Sequence, residues 1–359
     1  MIKKIWYQSV KLFLKIGLHF YAQKIIIKGI KNIPKKGAVL FAVNHPNALI
    51  DPLFVTTFNP RENHFLVRAD VFKKPLIRKF LSSLNLMPIF RIRDGIKQLS
   101  NNDEVFEKCF KILRKQQTLI IFPQGGHSRM RTIQPLSKGF TRIVFGALER
   151  FPELEISVIS VGITYQNSSV YPSKVCIQFG EVIDAKAIYE STIPAKAILL
   201  LKEKVSTQLQ KLTVHIPNDE HYTTTLIKLN NANVDFTNVD LVNKMIAENT
   251  IPNSKNTPID YLKPLYYLIL LNSIFPYLIW KRFSKNIGEI EFIDTMKFSI
   301  NLIGFPIFYG LQATILIFFL GTKVGLMYFF ASIFIVLFYT KSTQISAENS
   351  QNLKVSKET

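Results

Sequence analysis

An imidazole and a carboxylate stand just past an apolar run early in the chain. His45-Pro46-Asn47-Ala48-Leu49-Ile50-Asp51 directly follows Ala38-Val39-Leu40-Phe41-Ala42-Val43-Asn44. A carboxylate that holds one ring nitrogen leaves the other free to take a proton near neutral pH, which is what deprotonating an alcohol requires. The run has strand length and β-branched content. The residue before a proline avoids the α region, so His45 is expected in a turn and Asp51 on the helix that follows. Taken alone, the stretch fits a structural hydrogen bond as well as a proton-transfer pair.

A second stretch, Leu119-Ile120-Ile121-Phe122-Pro123-Gln124-Gly125-Gly126-His127-Ser128, is another strand-length run, ending in a proline and a glycine pair. Arg129, Arg131, Pro135, Leu136, Lys138 and Gly139 follow. Glycines let backbone N–H groups approach a phosphate closely, and an arginine can grip it with two donors. A solvated turn with loose basic residues fits the same stretch taken alone.

Together the two stretches resemble the phospholipid/glycerol acyltransferase family, whose blocks pair a His with an Asp and place Phe-Pro-Glu-Gly ahead of Pro-(Leu/Phe)-Lys-x-Gly. Two further blocks fit in order, Leu86 to Arg93 and Val158 to Tyr165. The resemblance implies transfer of a fatty acyl group from acyl-CoA or acyl-carrier protein to a hydroxyl of glycerol-3-phosphate or lysophosphatidate. It implies His45 as general base and Asp51 as the group that fixes its tautomer. It also implies that Asn44, Arg91, Arg93, Gln124, Gly125, Gly126, Arg129 and Arg131 bind substrate. No nucleophilic Ser or Cys is identifiable beside the His, so direct attack without an acyl-enzyme is expected, with no metal and no cofactor beyond the thioester co-substrate. The sequence departs from the family pattern in four places. Five residues rather than four separate His45 from Asp51, Gln124 replaces the usual Glu, His127 stands near a common Arg, and Ser160 replaces a Pro. Gln124 gives weight to a second reading, a non-catalytic lipid-binding or remodelling protein on an acyltransferase scaffold.

Composition narrows the partners. Formal net charge is +20, from 45 Lys and Arg against 25 Asp and Glu. Such a chain favours anionic partners. No nucleic-acid motif is present, whereas 48% hydrophobic content and 29 Phe point to lipid. Anionic membrane lipids are therefore the expected partner surface, and nucleic acid is not. Cys109 and Cys176 form no motif and are read as buried thiols.

The elements that must position these residues alternate. Strands are expected at about 37–43, 64–68, 86–91, 118–122, 156–164 and 174–180, and helices at about 50–58, 73–84, 102–116, 136–150 and 194–214. This is an α/β pattern, a mixed sheet flanked by helices as in the glycerolipid acyltransferases, with the catalytic domain over 26–214. Residues 1–25 mix lysines with aromatics and fit an interfacial helix. Residues 215–260 are polar and Asn-rich, an accessory or linker segment. Residues 261–341 form a membrane region. Within it, 298–320 and 324–340 are long enough to span a bilayer core as a hairpin, and 265–280 reads as interfacial or a short span. A polar tail, 342–359, follows. The basic residues Lys281, Arg282, Lys285 and Lys341 flank the apolar stretches and favour a catalytic domain on the cytoplasmic face of the cell (inner) membrane.

Overall fold

The computed structural model describes residues 2–90, 102–168, 170–253, 259–285, 287 and 292–347. Its centre is a sheet of seven strands: β1 (Ala22–Lys28), β2 (Ala38–Val43), β3 (Asn63–Arg68), β4 (Leu86–Ile89), β5 (Thr118–Ile121), β6 (Ile156–Tyr165) and β7 (Ser173–Asp184). Their spatial order is β1-β7-β6-β2-β5-β3-β4. Neighbours run parallel except β6 and β7, so the sheet is mixed. Strand β1 was not expected from sequence. Its alternation is blurred by lysines at both ends, and it gains its place only as an edge strand against β7.

Side-chain alternation along β2 shows how the sheet is held. Ala38, Leu40 and Ala42 face one hydrophobic layer, made with α4 (Asn102–Arg114), α5 (Gly139–Arg150), α6 (Ala185–Ser191) and α7 (Pro194–Leu212). Val39, Phe41 and Val43 face the other, made with α1 (Ile2–Tyr21) and α2 (Ile50–Phe58). All six β2 residues are buried, which is why a central strand covered on both faces reads as an unbroken apolar run. Beside β3, α3 (Pro75–Ser83) leads into edge strand β4. Because β2 and β5 are parallel neighbours, the loops that leave them, carrying His45 and Gly125, emerge at the same edge of the sheet.

Residues 215–253 are an accessory unit with a core of their own. Helices α8 (Tyr222–Asn231) and α9 (Val239–Ala247) bury Leu229, Phe236 and Val242. Gln166, just past β6, fastens the unit. Its amide donates to Val234 O at 2.8 Å and accepts from Phe236 N at 2.8 Å.

The C-terminal region holds α10 (Lys263–Asn272), α11 (Ile274–Ser284), α12 (Phe292–Leu320) and α13 (Thr322–Ser342). Helices α12 and α13 are both long and apolar enough to cross a membrane, and only 11% and 22% of their apolar windows are buried, so neither is the core helix of the domain. They join through Gly321 alone and pack closely, with Gly325 against the backbone of Ala313. At 29 residues α12 is about 44 Å long, beyond the roughly 30 Å of a hydrocarbon core, and its first turns lie against the catalytic domain.

The 265–280 segment is two helices that break at Ser273. Tyr328 OH donates to Asn272 Oδ1 and Gln312 Oε1, both at 2.8 Å, and Ser273 Oγ bonds Tyr309 OH at 2.6 Å. These partners sit on α12 and α13 about 10 to 18 Å from the Gly321 turn. On its way back, Phe275 meets Phe308 and Pro276 meets Gly304. The pair is therefore a V that descends along α13, turns at Asn272–Ser273 and returns along α12. The far end of α13 is stitched to the junction of α1 and β1. Lys341 Nζ donates to Ala22 O and Gln23 O at 2.7 and 3.2 Å, Thr340 Oγ1 donates to Phe20 O at 3.2 Å, and the Gln23 amide donates to Thr343 O.

Candidate active site

Beyond β2 the chain turns through Pro46, and α2 begins at Ile50, one residue before Asp51. His45 Nδ1 and Asp51 Oδ2 are 2.8 Å apart. Asp51 is fully buried. Its carboxylate also accepts from Asn47 N at 2.7 Å and from Tyr165 OH at 2.7 Å. Burial pushes the Asp51 carboxyl above the ordinary carboxylate range, and the donors from His45, Tyr165 and Asn47 oppose that rise. Burial holds the Tyr165 phenol well above its ordinary value, with the neighbouring Asp51 charge adding to this, so it stays a donor. A carboxylate with three donors orients the imidazole through Nδ1 and leaves Nε2 for proton transfer.

The glycine stretch grips the histidine from the other side. Gln124 Oε1 accepts from His45 N at 3.2 Å, and Ser128 N donates to His45 O at 2.9 Å. The Phe122 ring stacks on the imidazole, with centroids 4.0 Å apart at 21°. Gly125 N donates to Phe122 O at 3.1 Å and closes a turn in which Gly125 has φ 75°, a left-handed conformation that favours glycine. A Cβ at Gly125 or Gly126 would meet nothing within 4 Å, so this face of the turn is open.

The remaining sequence candidates separate by what they hold. Asn44 is buried with its amide on the backbone of Ile163, Nδ2 to O at 3.0 Å and Oδ1 from N at 2.7 Å. It fixes the end of β2 to β6 and stands in the lining of the cleft beside His45. Arg131 donates to Tyr165 O and Gln166 O at 3.1 and 3.0 Å and lies 3.5 Å over the Phe236 ring. Its guanidinium therefore braces the accessory unit and the end of β6, while the residue also lines the cleft beside His45. Arg129 lines the cleft together with His45 and Gln124, and its Nη2 lies 3.7 Å from Asp294 Oδ2 of α12. Arg91 and Arg93 lie outside the described residues.

Sequence reasoning missed Tyr165 and Phe122 as site residues, although both end apolar strand runs. It also missed the first turn of α12, where Thr295 Oγ1 accepts from Leu49 N at 3.0 Å and the Phe292 ring meets the His127 ring at 5.3 Å. The available signal was Asp294, the single acidic residue in the long apolar helix.

Residues 24–164 match the family model described as Acyltransferase. Glycerol-3-phosphate O-acyltransferase 2 of Saccharomyces cerevisiae is 25% identical over 122 residues, covering 33% of this chain and 16% of that protein. The 1-acyl-sn-glycerol-3-phosphate acyltransferase of Borreliella burgdorferi is 29% identical over 126 residues, covering 35% of this chain and 48% of that protein. A solved structure of the 1-acyl-sn-glycerophosphate acyltransferase from Thermotoga maritima superposes with a TM-score of 0.43 at 17% identity, over 58% of this chain and 81% of that one. The chain thus spans less than half the length of these two curated relatives. Residues 24–164, which hold the His45–Asp51 pair and the glycine turn, are the part of the chain that matches the acyltransferase family.

Proposed function

We propose that this protein is a membrane-bound O-acyltransferase that moves a fatty acyl group from an acyl thioester to a hydroxyl of glycerol-3-phosphate or lysophosphatidate. The observation that carries this reading is the 2.8 Å contact of His45 Nδ1 with a carboxylate that is fully buried and bound by two further donors. The names of the matched relatives, which act on these two acceptors, support the substrate class.

In this mechanism His45 Nε2 takes the proton of the acceptor hydroxyl as its oxygen attacks the thioester carbonyl. Asp51 stabilises the imidazolium that forms. The tetrahedral intermediate collapses, the C–S bond breaks, and the departing sulfur takes the proton back from Nε2. Neither Cys109 nor Cys176 can serve as a covalent way-station, since both are buried in the sheet layers. The open face of Gly125 and Gly126 suits the approach of a charged group, and Arg129 is the described cation best placed for the acceptor phosphate. The thioester is acyl-CoA or acyl-carrier protein.

Helices α12 and α13 anchor the protein, with α1 lying in the interface and its lysines meeting anionic headgroups. The α10–α11 V returns to the side it left, so Lys281, Arg282 and Lys285 share the cytoplasmic side with the catalytic domain.

Membranes carrying the purified full chain are to be assayed with labelled acyl-CoA or acyl-carrier protein and each acceptor in turn. Transfer to one acceptor, with a loss of at least about 10²-fold in His45→Ala at unchanged membrane content, is the expected result. Near-normal turnover by His45→Ala would overturn the mechanism.

A further inference from the structure

The first turn of α12 reaches the catalytic loops at three points. Phe292 packs edge-on to His127, Asp294 faces Arg129 at 3.7 Å, and Thr295 accepts from Leu49 N at 3.0 Å. Below this turn Phe298 packs on Tyr21 and Leu302 on Gly17, so the helix is seated along α1 as well. All of these α12 residues lie outside the 24–164 match, in a helix whose apolar length is otherwise that of an anchor.

Asp294 is 1% exposed, and the Arg129 side chain is 18% exposed and lines the cleft beside His45. A carboxylate that deep is costly unless cations face it, and here Arg129 and Lys297 both do, with the Asn47 side chain beside them. In return, it limits the rotamers open to a long side chain whose other edge reaches the cleft. A guanidinium carries five donors in a fixed fork, so one edge can face Asp294 while another takes a phosphate oxygen.

We infer that Asp294 is a positioning residue for the acceptor site: from the first turn of the anchoring helix it holds Arg129 in the orientation that binds the acceptor phosphate. The inference rests on the acyl-transfer reading above. It makes the C-terminal hairpin a part of the active site as well as an attachment.

The test is steady-state kinetics on the full chain in membranes, varying acceptor and thioester separately. Asp294→Asn is expected to raise acceptor KM about tenfold or more while thioester KM stays within about twofold. Arg129→Ala should do the same, and the double variant Arg129→Ala/Asp294→Asn should be no worse than Arg129→Ala in acceptor KM, because the inference has the carboxylate reach the acceptor through that guanidinium. If Asp294→Asn fails to accumulate, Asp294→Glu keeps the charge but moves it by a methylene, and an intermediate rise confined to acceptor KM is expected. Unchanged or lower acceptor KM in the accumulating Asp294 variant overturns the inference alone, as does an additive double variant. A wild-type protein silent on both acceptors overturns the acyl-transfer reading and the inference with it.

Discussion

Tyr165 and Asp51 are 114 residues apart in sequence, yet the phenolic hydroxyl donates to Asp51 Oδ1 at 2.7 Å in a fully buried contact. The bond ties the last residue of β6 to the first turn of α2. The oxygen it serves is the one that His45 and Asn47 do not reach.

Tyr165→Phe removes that donor and leaves a buried carboxylate oxygen unsatisfied. Leaving such an acceptor bare costs on the order of 1–3 kcal/mol, so kcat/KM is expected to fall about tenfold. The sign of the pH effect follows from the same bond. The phenol stabilises the charged form of Asp51, so its loss raises further a pKa that burial already raises. The acid limb of the kcat/KM profile should move to higher pH. A profile superimposable on wild type would show that Tyr165 does not act through Asp51.

Gln124→Glu is expected to stay within about threefold of wild-type activity. The side chain's described task is to accept from His45 N, and a carboxylate oxygen accepts as well as an amide oxygen. Gln124→Ala loses that bond and should cost about tenfold in kcat. Comparing the two variants in one assay separates hydrogen bonding from charge. A dead Gln124→Glu protein would mean that neutrality matters here.

Arg131→Ala should act on stability first. It strips two bonds to the carbonyls of Tyr165 and Gln166 and the stacking on Phe236, together about 2 kcal/mol or more. The expected readout is a lower Tm in detergent and readier proteolysis of the 215–253 unit. A variant with wild-type Tm and only a raised acceptor KM would place Arg131 among the substrate ligands.

Topology is open to cysteine labelling at Ser284, Thr322 and Ser346. The native thiols Cys109 and Cys176 are buried and give little background. Ser284 and Ser346 should label from the side of the catalytic domain and Thr322 from the opposite side. Outer-face labelling of Ser284 would make α10–α11 a third crossing and refute the V.

Much of the sheet and its flanking helices was legible because it is written in local signals. The run ending at Val43 and the proline after His45 mark a strand and a turn, and the helix expected over 50–58 is α2. What stayed hidden depends on partners far away in sequence. An edge strand such as β1 has no pattern of its own apart from β7. The duty of Asn44 is defined by Ile163, and that of Arg131 by carbonyls on β6. The first turn of α12 lies ahead of the apolar stretch expected from 298, and only the fold brings Asp294 beside Arg129.

The stitching of α13 to the junction of α1 and β1 has a mechanical consequence. A domain on a single flexible linker swivels above its anchor. Here one end of the hairpin bonds the start of the sheet and the other end touches the catalytic loops, so the domain keeps one height and heading over the bilayer. Any tilt the hairpin adopts to match the thickness of the surrounding lipid is passed rigidly to the cleft. The local lipid thickness would thereby set how the mouth of the His45 cleft is turned toward the bilayer.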